Sequence, residues 1–167
     1  MTTHREDSIP LVIGVGNEFR GDDAAGLRAV RELWSRLDGR ARTVECGGGV
    51  TELLDLWEGR DQVFLIDAVR SGRPEGTWHR MIVDDHPLPS SLAGPSTHGL
   101  SVASAVELGR LLGRMPRSLV VYGIETRRFE PGAGISPAVL EAIHQVAHAL
   151  VEELRVLASR TRSTKEG

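Results

Sequence analysis

The chain of 167 residues has one cysteine, Cys46. That excludes an intrachain disulfide and a zinc site built from several thiolates of one chain. A metal held here must be held by histidine and carboxylate. Long apolar runs are also missing: no window of 18 apolar residues occurs, so no membrane span is expected. There is no excess of basic residues. Lys plus Arg is 20 against 23 for Asp plus Glu, a net charge of −3, and a nucleic-acid partner would favour a basic face. The opening residues MTTHREDSIP place Glu6 and Asp7 before a short apolar run broken by glycines. That is a poor secretory signal, and a cytoplasmic protein is expected. No linker, repeat or change of composition divides the sequence. The expectation is one domain over residues 1–167, with 1–8 and 159–167 as flexible tails.

Apolar strands alternate with helical patterns. Strands are expected at 9–13, 42–46, 62–66 and 118–124, and an edge or antiparallel strand at 77–83. Helices are expected at 22–37, 51–57, 98–112 and 136–158. Thr51 is a candidate cap, and Ser136 and Pro137 open the last helix. Residues 84–95 and 125–134 read as loops. This order implies an α/β/α sandwich: a twisted, mostly parallel sheet of about five strands with helices on both faces. Function in such sheets collects beyond the carboxyl ends of the strands.

The stretch LVIGVGNEFRGDDAAG, residues 11–26, is the most informative. An apolar strand ends in a glycine turn, and two carboxylates, Asp22 and Asp23, open the following helix. A second apolar strand ends at Asp67, a third at Glu125, and His98 opens a helix. Asp23 and Asp67 follow neighbouring parallel strands, which brings two carboxylates and an imidazole to one end of the sheet. Such a set suits a metal with open positions, or general acid–base work. Each residue also has a plainer reading. An acid in a first helical turn complements the helix dipole, Asp67 can cap a turn, and His98 can sit on the surface. His144 and His148 stand four apart on a helix without the zincin Glu, which reads as a solvated face. Cys46 precedes Gly47-Gly48-Gly49 and reads as a small buried strand-end residue, since no histidine is placed to activate it. Gly14 and Gly16 allow a sharp turn or a close backbone approach.

Four segments then resemble one family in order and spacing. GVGNEFRGDDAAG is similar to the opening motif of the hydrogenase maturation endopeptidases. FLIDAVRSGRPEGT is similar to their second motif, PSTHGLS to their histidine segment, and VVYGIETRRFEPGAGISPAV to their C-terminal signature. The resemblance covers residues 10 to about 155. It implies a peptidase, classed by its acids with the aspartic peptidases, that removes a C-terminal extension from the precursor of a nickel–iron hydrogenase large subunit after nickel insertion. It implies Asp23, Asp67 and His98 as both catalytic and nickel-contacting residues, with the nickel supplied by the precursor, and no nucleotide or organic cofactor. The first acid is often Glu in the family and is Asp here. Asn17 would hold the turn. Within that reading, nickel serves as a recognition anchor or as the Lewis acid, or else the carboxylate pair activates water directly. Three rivals stand beside it. A Rossmann enzyme would need a third glycine, and Asp22 and Asp23 would repel its pyrophosphate. A peptidyl-tRNA hydrolase would place a histidine soon after the turn. A non-catalytic assembly chaperone that inspects the precursor's metal site would use the same ligands as the peptidase.

Overall fold

The computed structural model describes residues 8–86, 88 and 102–163. Five strands form one sheet in the order β2-β1-β3-β5-β4. β1 is Leu11–Val15, β2 Arg42–Cys46, β3 Val63–Val69, β4 Trp78–Val83 and β5 Leu119–Glu125. β1, β2, β3 and β5 are parallel, and β4 runs antiparallel along the β5 edge. The alternating edge pattern read at 77–83 is this strand. The central strands β1 and β5 are buried along their whole length, as near-continuous apolar runs require when helices cover both faces.

Alternation along the strands divides the core in two. Val12, Phe64, Ile66, Val120, Tyr122 and Ile124 face helices α1 (Ala25–Leu33) and α4 (Pro137–Ser163). Ile13, Val15, Val63, Leu65, Val69 and Val121 face α2 (Val50–Trp57) and α3 (Val102–Leu112). The result is the three-layer sandwich expected from the alternation of elements. Each fully buried Leu, Ile or Phe side chain contributes about 1.5–3 kcal/mol of transfer free energy.

Several boundaries differ from expectation for local reasons. The segment expected as one helix from Asp22 to Leu37 begins as a 3-10 turn at Gly21–Ala24 and is α-helical only over α1. Asp38 and Gly39, both with positive φ, follow it. β3 does not end at Asp67 but continues to Val69, because β5 keeps pairing with it out to Glu125. Thr51 is not a cap: α2 starts at Val50, with Gly49 at the cap position and no side-chain cap hydrogen bond. Ser136 caps α4, its Oγ accepting the Val139 N–H at 3.4 Å. α4 then runs to Ser163, into the stretch expected as a flexible tail. The helix expected from His98 is described from Val102 onward. No helix among the described residues is long and apolar enough to cross a membrane.

Candidate active site

The site is built on the close seating of α1 against the sheet. A methyl group on Gly26 would lie inside the contact radius of the Val15 and Ile66 carbonyl oxygens and 2.8 Å from the Val15 nitrogen. One on Gly14 would overlap the Gly26 carbonyl, and one on Gly16 the Asp23 carbonyl. None of the three has positive φ. The reason for glycine is therefore close approach, not a turn conformation. Asn17 fixes the loop that follows. Its Oδ1 accepts the Phe19 N–H at 2.9 Å, and its own N–H donates to the Asp23 carbonyl at 3.1 Å. The start of α1 is thereby pressed onto β1 and β3, and the 3-10 turn delivers Asp22 and Asp23 to the carboxyl edge of the sheet.

The two adjacent acids do different work. Asp22 is fully buried. Its carboxylate accepts the Ser136 N–H at 2.8 Å and the Arg128 N–H at 3.3 Å, while its own N–H donates to the Arg128 carbonyl at 2.8 Å. It ties the β5–α4 loop to the first turn. A buried carboxylate that accepts two backbone N–H groups stabilises strongly, and its loss leaves both donors unpaired. Asp22→Asn is expected to cost about 2 kcal/mol in urea denaturation, because its amide keeps one acceptor and presents N–H to a donor.

Asp23 is partly exposed, and its charge acts on Asp67. The Asp67 carboxyl is pushed up to about 8 from 3.8, first by burial and then by the negative charge of Asp23, with a hydrogen bond from the Ala68 backbone opposing. Asp67 lies in strand register with Gly123 of β5. By alternation it shares a face with Leu65 and Val69, toward α2 and α3. At neutral pH the raised value keeps the Asp67 carboxyl largely protonated beside the negative charge of Asp23. That is the arrangement of a carboxylate pair poised for proton transfer, and also of one that a dication would ionise fully. His98 lies outside the described residues. Of the expected trio, Asp23 and Asp67 come together.

Cys46 closes the end of β2 beside the pair. Burial pushes its thiol up to about 12, with the Gly48 N–H donating to Sγ at 3.4 Å and the charges of Glu52 and Asp67 opposing ionisation further. The thiol is thus an inert packing group, as the sequence suggested. Alkylation by iodoacetamide at pH 8 is expected to be at least tenfold slower in the folded protein than in 6 M guanidinium. Equal rates, read by mass spectrometry, would mean an accessible thiolate.

Glu125 is a residue whose role the sequence left open. It is buried, accepts the Ser71 N–H at 3.0 Å and the Ser71 hydroxyl, and meets His79 Nε2 at 3.3 Å. It therefore holds the β3–β4 turn. The signal was a glutamate ending an otherwise apolar strand, and the partners lay 46 and 54 residues away. His144 is exposed and pairs with Glu32 of α1 at 2.7 Å. Neither it nor any other group of three His, Cys, Asp or Glu among the described residues forms a metal cluster.

A doubly wound sheet with a coupled carboxylate pair at its carboxyl edge is the frame of an α/β enzyme, its chemistry set at the strand ends. The sequence profile described as hydrogenase maturation protease matches residues 27–153, and the chain belongs to that family. It is a peptidase, a hydrogenase maturation endopeptidase. Among curated relatives, the hydrogenase 2 maturation protease of Escherichia coli K12 is 31% identical over 149 residues, spanning 87% of this chain and 90% of that protein. The solved structure of the maturating endopeptidase HybD from E. coli superposes with a TM-score of 0.75 at 29% identity, over 87% of this chain and 91% of that one. The hydrogenase 2 maturation peptidase of a Thaumarchaeota archaeon gives 0.63 at 28% identity, over 87% and 97%. The nucleotide-binding, peptidyl-tRNA hydrolase and non-catalytic chaperone readings give way to this assignment.

Proposed function

We propose that this peptidase removes the C-terminal extension from the precursor of a nickel–iron hydrogenase large subunit, in the cytoplasm, after nickel has been inserted. Asp23, Asp67 and His98 close on the nickel that the precursor brings, so the metal belongs to the substrate. The observation that carries this is the Asp23–Asp67 coupling: two carboxylates are held close enough for one charge to oppose ionisation of the other. A dication between them removes that penalty, and oxygen and imidazole donors suit a borderline ion such as nickel. α3, which starts four residues after His98, packs on the face of the sheet that Asp67 shares. The whole chain acts as one domain.

The same coupling supports a second version, in which the pair itself moves the protons. One protonated and one ionised carboxyl can activate water against the scissile carbonyl and protonate the leaving amine. Nickel is then the anchor that certifies a loaded precursor. The test is to mix the purified protein with its large-subunit precursor, nickel-loaded and nickel-free, and to weigh the products by mass spectrometry. Release of one C-terminal peptide only from the loaded precursor is expected. Cleavage of the nickel-free precursor at the same rate removes the recognition role, and no cleavage of either overturns the reading.

A further inference from the structure

The arginines of this chain fall into two groups. Positive charge rests almost wholly on arginine, with 19 arginines and one lysine. Many of these arginines are tied to carboxylates: Arg31 to Glu18 and Glu45, Arg36 to Glu32, Arg80 to Glu153, Arg114 to Asp55 and Glu58. At the carboxyl edge of the sheet, Arg70, Arg127 and Arg128 are exposed. None of the three forms an ion pair among the described residues. Residues 87–101, PLPSSLAGPSTHGLS, contain no acid that could neutralise them. Glu130, exposed in the same loop, leaves the balance positive.

These guanidinium groups stand on a fixed backbone. Arg128 is bonded through both its N–H and its carbonyl to the buried Asp22. The Gly132 N–H donates to the Phe19 carbonyl at 3.1 Å, so the β5–α4 loop is stitched to the loop after β1. Arg70 lies over the Phe129 ring at 3.8 Å and donates to the Arg127 carbonyl at 3.3 Å. Beside them Phe19 is 79% exposed. Arginine forks match carboxylates bidentately, and a pre-ordered loop spares the binding event the entropy of ordering it.

We propose that this edge, formed by Arg70, Arg127, Arg128 and Phe19, docks an extended peptide segment of the substrate that carries carboxylates next to an apolar side chain. The proposal rests on the peptidase reading above, since it names what that site's substrate presents. On a protein of net charge −3, a local basic strip beside Asp23 also gives the peptide a direction: its acids lie over the α1 and α4 side, away from the acidic pair. The carboxylates are glutamate or aspartate side chains of that segment.

The test is fluorescence anisotropy with the full-length protein and labelled ten-residue peptides. One carries three glutamates and a leucine, one has glutamine in their place, and each is made as free acid and as amide. Tighter binding of the glutamate peptides by tenfold or more is expected, falling at least fivefold in the Arg127→Gln/Arg128→Gln variant and at 500 mM salt. Arg155→Gln, on the far part of α4, serves as the matched control and should bind as the parent does. Equal binding of acid and amide is expected, and loss with the amide assigns the carboxylate to the terminus and overturns the proposal. Equal affinity for glutamate and glutamine peptides overturns the proposal. So does a double variant that keeps its circular dichroism spectrum and full affinity. Because no cleavage is read, this outcome is separate from the processing assay. A chain that processes its precursor but ignores peptide charge loses only this inference, and one that binds acidic peptides without processing that precursor keeps the docking edge and loses the proposed precursor as its substrate.

Discussion

Asp67→Asn is expected to abolish processing and, in the same protein, to raise stability. The sign follows from its titration. The carboxyl sits at about 8 in the folded chain against 3.8 in its ordinary state, because burial and the Asp23 charge oppose ionisation. A carboxyl whose folded value is raised binds its proton more tightly when folded. Its contribution is therefore fully present below about pH 4, and is lost as pH rises through the window up to about 8. At pH 7 the ideal penalty is about 4 kcal/mol. Partial solvent access at Asp67 reduces this, and about 2 kcal/mol is expected. Asparagine carries no such penalty. In thermal melts the variant should match the parent near pH 4 and exceed it by about 4–8 °C at pH 8. A gap independent of pH would falsify the coupling. A variant that still cuts a nickel-loaded precursor at the parental rate would remove Asp67 from both versions of the mechanism. Stability withheld at a site of this kind is the usual trade against activity.

Gly26→Ala is expected to be the most damaging single substitution in the chain. Helix propensity alone would favour alanine by about 1 kcal/mol. Here the added methyl falls on the carbonyls of Val15 and Ile66, backbone atoms of two central strands that have no rotamer to change. α1 must lift from the sheet, breaking the packing of Ala29, Val30 and Leu33 against Val12 and Phe64. A loss of about 3–5 kcal/mol is expected in urea denaturation. Processing should fall more than the folded fraction does, because the carboxylate of Asp23 rides on the same helix start. A neutral or stabilising result would show that the helix has room the close contacts deny. Gly39→Ala, where nothing lies within 4 Å, is the contrasting case. Only its positive φ costs there, about 1 kcal/mol.

The layered architecture was legible because it depends on period and alternation. The buried runs of β1, β3 and β5 and the apolar faces of α1 and α4 each carry their signal within a dozen residues. The carboxylates Asp23 and Asp67 were legible as well, since parallel neighbours in an α/β sheet end at the same edge. What the sequence withheld depends on distant partners. Nothing local distinguishes Asp22 from Asp23; residues 128 and 136 decide that one is a structural tie and the other faces Asp67. Glu125 and His79 likewise acquire meaning only when β4 folds back along β5. A strand end shifted for the same reason: β3 outlasts its apolar run because β5 pairs with it out to Glu125.

The tie between Asp22 and Ser136 spans 114 residues, and it has a consequence for the timing of activity. During synthesis the first strand and both acids leave the ribosome early, but the bonds that hold their turn wait for the β5–α4 loop. β5, which completes the walls around Asp67, also arrives late. A growing chain therefore carries its acids unassembled until residues 128 and 136 have been added, and proteolytic competence waits for that loop to close.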